Sequence, residues 1–163
     1  MPPADRRPPL PAPAARPGIR SGHNREVSKN HARRRPAIDP TSACPCGLEA
    51  SYGECCARFH RGEAAAPTAE RLMRSRYSAF AAGDAPYLLR TWHPATRPAG
   101  VEFEPGQRWT RLEIVGTTGG SAFHSEGTVE FRAHYTLHGE PGVQEENSRF
   151  VRDEGAWVYL SEL

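Results

Sequence analysis

The chain has 163 residues, 37% of them hydrophobic and 25% charged, with a formal net charge of +2. This length and composition suit one modest domain with attachments. They exclude a membrane-spanning helix, because no window approaches eighteen consecutive apolar residues, and the start lacks the apolar core of a secretory signal.

The charge is unevenly placed. Residues 1–40 hold nine basic and three acidic side chains, a net +6, and the other 123 residues hold twelve and sixteen, a net −4. The first forty also contain nine of the sixteen prolines and few apolar residues. Proline removes amide donors, and so little apolar surface cannot offset the entropy of ordering. Residues 1–40 are therefore expected to be a disordered tail. The run Arg33-Arg34-Arg35 is a weak signal for nucleic acid or anionic lipid, and nucleic-acid binding is not expected.

All four cysteines follow within thirteen positions, in "CPCGLEASYGECC", as Cys44, Cys46, Cys55 and Cys56. A disulfide framework belongs to secreted chains, and adjacent Cys55 and Cys56 pair only under heavy strain. Four thiolates instead suit a tetrahedral structural Zn²⁺ site, with Pro45, Gly47 and Gly53 supplying the turns. Free or redox-active thiols are the alternative. A cytoplasmic location follows from the same reasoning.

The pattern "CPCG…SY..CC" resembles the SEC-C motif, a short zinc-binding module found also at the C-terminus of the SecA preprotein translocase. The four metal ligands of that motif match the four cysteines here, although Gly47-Leu48-Glu49 replaces its usual Gly-Ser-Gly. The resemblance implies a structural zinc knuckle over residues 41–62. It also implies a docking surface for a protein partner, such as a chaperone or the secretion or translation machinery. Leu48, Tyr52 and Phe59 beside Arg58 and Arg61 are expected to form an exposed patch there.

Thr68 is a favourable N-cap and Gly83 a favourable C-terminal stop for a helix between them. Within it Ala69, Leu72, Met73, Arg76, Tyr77 and Phe80 fall on one face. Arg76 is the exception in this apolar stripe. It is expected to snorkel to the edge or to meet a buried carboxylate; the alternative is an anion-binding group in a pocket. Asp84 caps a second short helix, "APYLLRTW", which ends at His93-Pro94. A histidine beside a proline is expected to be structural, with proton transfer as the alternative.

From Trp109 the period changes to two, and turn signals separate four strands near 109–117, 122–138, 143–153 and 156–162. His134 and His138 are expected to be solvated residues on the polar face. Strands following helices indicate an α+β class.

The stretches "AERLMRSRYSAFAAGDAPYLLRTWHPATRP" and "ENSRFVRDEGAWVYL" resemble the bacterial YchJ-like family. That resemblance implies a nuclear transport factor two-like domain over 63–163, a cone-shaped (cystatin-like) roll in which helices pack on a curved antiparallel sheet around a pocket. It implies a fold and names no reaction. Two functions compete. One is a zinc-stabilised binding or adaptor protein. The other is a small-molecule binder or enzyme using the cone, with Arg76, Tyr77, Trp92, His93 and Arg149 as pocket candidates. Arg76 would then orient an anion and His93 would move a proton.

Overall fold

The computed structural model describes residues 37–163. The expected tail lies outside these residues except at its end, as do Arg33, Arg34 and Arg35. Asp39 and Pro40, assigned to the tail, instead begin the folded body. The Asp39 carboxylate accepts hydrogen bonds from the Thr41 amide and hydroxyl, and the Pro40 carbonyl accepts from the Gly53 amide.

A 3₁₀ turn, Tyr52–Glu54, leads into three helices: α1 (Cys56–His60), α2 (Ala69–Ala82) and α3 (Ala85–Arg90). Both ends of α2 follow from local chemistry. The Thr68 hydroxyl accepts from the Arg71 amide, and Gly83 closes the helix at φ 71°, the left-handed conformation that glycine takes without penalty. Asp84 caps α3 through the Tyr87 amide. That helix stops at Arg90, two residues short of the expected Trp92.

Four antiparallel strands follow in simple meander order: β1 (Gln107–Gly119), β2 (Glu126–Leu137), β3 (Glu140–Asp153) and β4 (Ala156–Glu162). The β2–β3 hairpin is tighter than expected. His138 and Gly139 have φ of 50° and 85°, which makes a two-residue turn. Pro141 and Gly142, expected in the turn, consequently pair with Thr136 and Tyr135. Conversely, β2 starts at Glu126 rather than 122. The Arg152 side chain holds the segment before it in a loop by donating to the Ala122 and His124 carbonyls.

Register shifts interrupt β1 between Trp109 and Arg111 and between Ile114 and Gly116, and a third falls between Arg149 and Phe150. Such irregularities bend a strand and increase its twist, which suits a sheet that must wrap a helix. The free edge of β4 is covered. Tyr159 exchanges backbone hydrogen bonds with Thr91 and His93 in the segment after α3, as a short parallel bridge.

The core lies between α2 and the concave face of the sheet. Leu72, Met73 and Tyr77 pack on Leu112, Val129, Phe131, Ala133, Phe150 and Trp157. Val129, Phe131 and Ala133 alternate with outward Glu130 and Arg132, as the period of two requires. A second cluster joins Phe59, Ala79, Tyr87 and Leu88 on the opposite side of α2. This helix is therefore buried on more than its apolar stripe, and Ser75 and Ser78 are fully enclosed. The Ser75 hydroxyl bonds the Leu72 carbonyl and the Tyr87 hydroxyl.

Candidate metal centre and cone pocket

The cysteine loop is built as the glycines and turns demand. Ala43 and Ser51 bridge the base of the first turn, the Cys44 amide donates to the Ala50 carbonyl, and Gly47 sits at φ 87°. Cys44 and Cys46 come from this turn, Cys55 from the end of the 3₁₀ segment, and Cys56 from the first residue of α1. All four are buried and none is in a disulfide. Their sulfurs lie within 4.8 Å of one another, with Cys46–Cys55 at 3.6 Å and Cys55–Cys56 at 4.0 Å. A tetrahedron with Zn–S bonds of about 2.3 Å has edges of about 3.8 Å. The four residues could hold a metal ion.

Hydrogen bonds among the sulfurs separate their proton affinities. Hydrogen bonds from Cys46 and Cys56 hold the Cys44 thiol far below the ordinary range. The bond to Cys44 pushes Cys46 up to about 12, and bonds to Cys44 and Cys46 push Cys56 higher still. Four thiolates so close together repel one another, and a bound cation would relieve that repulsion. A divalent ion with four thiolates carries a net −2, and a cation stands nearby: Arg74 donates to the Cys46 carbonyl at 2.7 Å.

Further links tie this centre to the rest of the body. The Cys44 sulfur lies 3.7 Å from the Ser78 hydroxyl. His60, which the sequence did not single out, is enclosed between the rings of Tyr52 and Tyr87. Its Nε2 lies 2.8 Å from the Ser75 carbonyl, which only accepts, so Nε2 carries the proton. Nδ1 then accepts from the Tyr52 hydroxyl at 2.7 Å. Burial lowers the His60 pKa, which suits this neutral form.

The expected docking patch is not assembled. Phe59 is only 4% exposed and belongs to the second core, while Leu48 and Tyr52 pack against the cysteines. Arg58 and Arg61 are exposed, and Arg61 pairs with Glu63.

Between α2 and the sheet lies a cavity of about 220 Å³. Its aromatic walls are Tyr77, Phe80, Trp92, Trp109, Phe131 and Tyr159, and its polar groups are Arg76, Gln144, Glu146 and Ser148. Arg76, Tyr77 and Trp92 are thus brought together as pocket residues. His93 and Arg149 are not. The His93 ring accepts from the Ala95 amide in a turn, and Arg149 pairs with Glu126 on the sheet surface.

Arg76 departs from the expectation of a snorkelling or carboxylate-paired residue. It is 4% exposed, and none of the ion pairs among the described residues includes it. Nη1 donates to the Leu88 carbonyl and the Thr91 hydroxyl, and the guanidinium lies about 5 Å from the ring centres of Trp92 and Tyr159. Desolvation lowers its pKa to about 10, so it remains charged at neutral pH. Glu146 was also missed. The period of two carried the signal, since Gln144, Glu146 and Ser148 share an inward face with Phe150.

His134 is not simply solvated. It is half-buried and bonds the Glu113 carboxylate, which lies diagonally across the β1–β2 pair, two residues along from its direct partner Arg111. His138 is exposed and forms the hairpin turn.

Residues 68–162 match the family model described as "YchJ, middle NTF2-like domain". A UPF0225 protein of Streptomyces coelicolor is 63% identical over 120 residues, covering 74% of this chain and 94% of that protein. Another from Streptomyces avermitilis is 57% identical over 141 residues, covering 86% and 94%. Among solved structures, a SEC-C motif containing protein from Rhodopseudomonas palustris aligns with a TM-score of 0.65 at 28% identity, covering 75% of this chain and 98% of that one. A SEC-C motif containing protein from Psychrobacter arcticus aligns at 0.62, also with 28% identity, covering 75% and 82%. A cysteine cluster of this geometry, joined to helices on a curved antiparallel sheet and matched over most of its length by these relatives, places the chain in the YchJ-like family.

Proposed function

We propose that Cys44, Cys46, Cys55 and Cys56 hold one structural Zn²⁺ and that the chain is a zinc-stabilised binding protein of the cytoplasm. The observation that carries the metal reading is the set of four buried sulfurs within 4.8 Å of one another, close enough to share one tetrahedral ion. Four protein thiolates fill the coordination sphere, so the ion gives shape and offers substrate no open position. Residues 41–62 form the metal module and 63–163 the nuclear transport factor two-like domain. A protein partner on the secretion or translation machinery would meet the outer, polar side of the module at Arg58 and Arg61, because Phe59 is used inside.

Elemental analysis of protein purified under reducing conditions without added metal tests the metal reading. One equivalent of zinc is expected, and Co²⁺ replacement should give the intense visible bands of a tetrahedral tetrathiolate. Substoichiometric metal in fresh, reduced protein, or a Co²⁺ spectrum without thiolate charge transfer, would overturn it.

A second reading, a small-molecule site in the cone, is favoured by Arg76, whose charge is buried in the cavity wall without a carboxylate in contact.

A further inference from the structure

A buried guanidinium is costly unless its donors and charge are met. Only Nη1 of Arg76 forms hydrogen bonds among the described residues; Nε and Nη2 have no acceptor. Stacking by Trp92 and Tyr159 meets part of the charge, but aromatic faces accept no strong hydrogen bond. The cavity beside Arg76 is where an acceptor would fit. A planar fork of donors is best matched by a carboxylate, which takes two of them together.

The same cavity holds an opposite charge. Glu146 Oε1 accepts from the Ser148 and Tyr159 hydroxyls, while Oε2 receives only a long 3.3 Å contact from Gln144. Oε2 therefore has room for a further donor. Arg76 lies over the ring of Tyr159 and Glu146 at its hydroxyl, so the two charges border the same side chain of the cavity wall. A bare anion would satisfy Arg76 and meet Glu146 as a like charge. A ligand with a donor next to its carboxylate satisfies both. The remaining walls are aromatic, with Met73 and Ala133, and suit an apolar body. The volume of about 220 Å³ equals that of about seven waters. That is room for a ligand of roughly ten non-hydrogen atoms.

We propose that this cavity binds a small organic acid with an apolar body and a hydroxyl or ammonium group beside its carboxylate. Arg76 takes the carboxylate and Glu146 takes the neighbouring donor. The assignment is independent of the zinc reading, since no metal-module residue lines the cavity.

Four probes of matched size test it: L-leucine, 2-hydroxy-4-methylpentanoate, 4-methylpentanoate and 3-methylbutylamine. Each is titrated into the full chain by calorimetry and by tryptophan fluorescence, which Trp92 and Trp109 in the cavity wall should report. At least one donor-bearing acid should bind roughly tenfold or more tightly than the plain acid, the value of one charge-assisted hydrogen bond. The amine should bind least. Comparing leucine with the hydroxy acid identifies the donor. Glu146→Gln should erase the advantage over the plain acid, and Arg76→Gln should abolish binding. Because Arg76 also ties α2 to α3, Ala133→Leu serves as a second variant that fills the cavity and leaves Arg76 in place; it should lose binding too. Absence of binding by every acid at 10 mM would overturn the proposal. So would equal affinity for the plain acid, or undiminished binding in a folded Arg76→Gln or Ala133→Leu protein. Zinc content, measured on the same samples, reports the metal reading separately.

Discussion

His60 shows how one side chain joins the cysteine-bearing segment to the helical layer. Its ring is clamped by the Tyr52 hydroxyl and the Ser75 carbonyl and accommodates only one tautomer of the neutral form. The folded protein therefore holds its pKa below the unfolded value, chiefly through burial. As pH falls below about 6.5 the unfolded chain takes up a proton that the folded chain refuses. Stability contributed by His60 is thus complete above that pH and declines beneath it. Thiol protonation also weakens a metal site in acid, so the His60 contribution is the difference between wild type and His60→Gln. Denaturant midpoints should lie further apart above pH 7 than at pH 5.5. An unchanged gap would mean that the ring titrates freely in the folded state.

At the scale of elements, α2 is the piece on which both sites depend. It contributes Arg76 and Tyr77 to the cavity, Ser78 to the cysteine cluster and Arg74 to the Cys46 carbonyl. Its ends are set locally, so they can be tested locally. Thr68→Ala removes the acceptor for the Arg71 amide and should cost about 1 kcal/mol. Gly83→Ala places a Cβ at φ 71° and should cost roughly 1–2 kcal/mol. Urea unfolding measures both. Because the two sites are far apart along the helix, the double mutant should show additive losses. A markedly smaller loss at either end would show that tertiary packing, not the cap, holds that terminus.

Across the whole molecule, the cysteine-bearing segment and the sheet domain share hydrogen bonds. Arg90 reaches the Phe59 and His60 carbonyls, Arg74 the Cys46 carbonyl, and His60 the Ser75 carbonyl. Phe59 itself lies in a core made with Ala79, Tyr87 and Leu88. Removal of the proposed zinc by a strong chelator should therefore lower the melting temperature of the sheet domain as well as unfold the cysteine loop. If only about 3 kcal/mol of the metal's larger binding energy is transmitted, the shift is roughly 10 °C. Near-ultraviolet circular dichroism, which follows Trp109 and Trp157 in the domain, measures it. An unchanged main transition with loss of the loop alone would show that the two parts fold independently.

Local chemistry was legible where one residue type decides the outcome. Thr68 and Gly83 bound α2, Asp84 caps α3, and the alternation of Val129, Phe131 and Ala133 marks the buried face of β2. Four cysteines within thirteen positions marked a cluster that could hold a metal ion, because thiolates so crowded need a cation. The resemblance carried the fold further than periodicity could. Contacts between residues distant in the chain were not legible. Phe59 looked like a surface anchor until α3 closed over it, and Arg76 looked like an edge residue until Trp92 and Tyr159 flanked it. His93 and Arg149 looked like pocket groups until the bridge to β4 and the sheet register turned them elsewhere. Sequence states which side chains an element presents to each face; which face meets a cavity depends on how the sheet bends around α2, and that is settled only when the chain closes on itself.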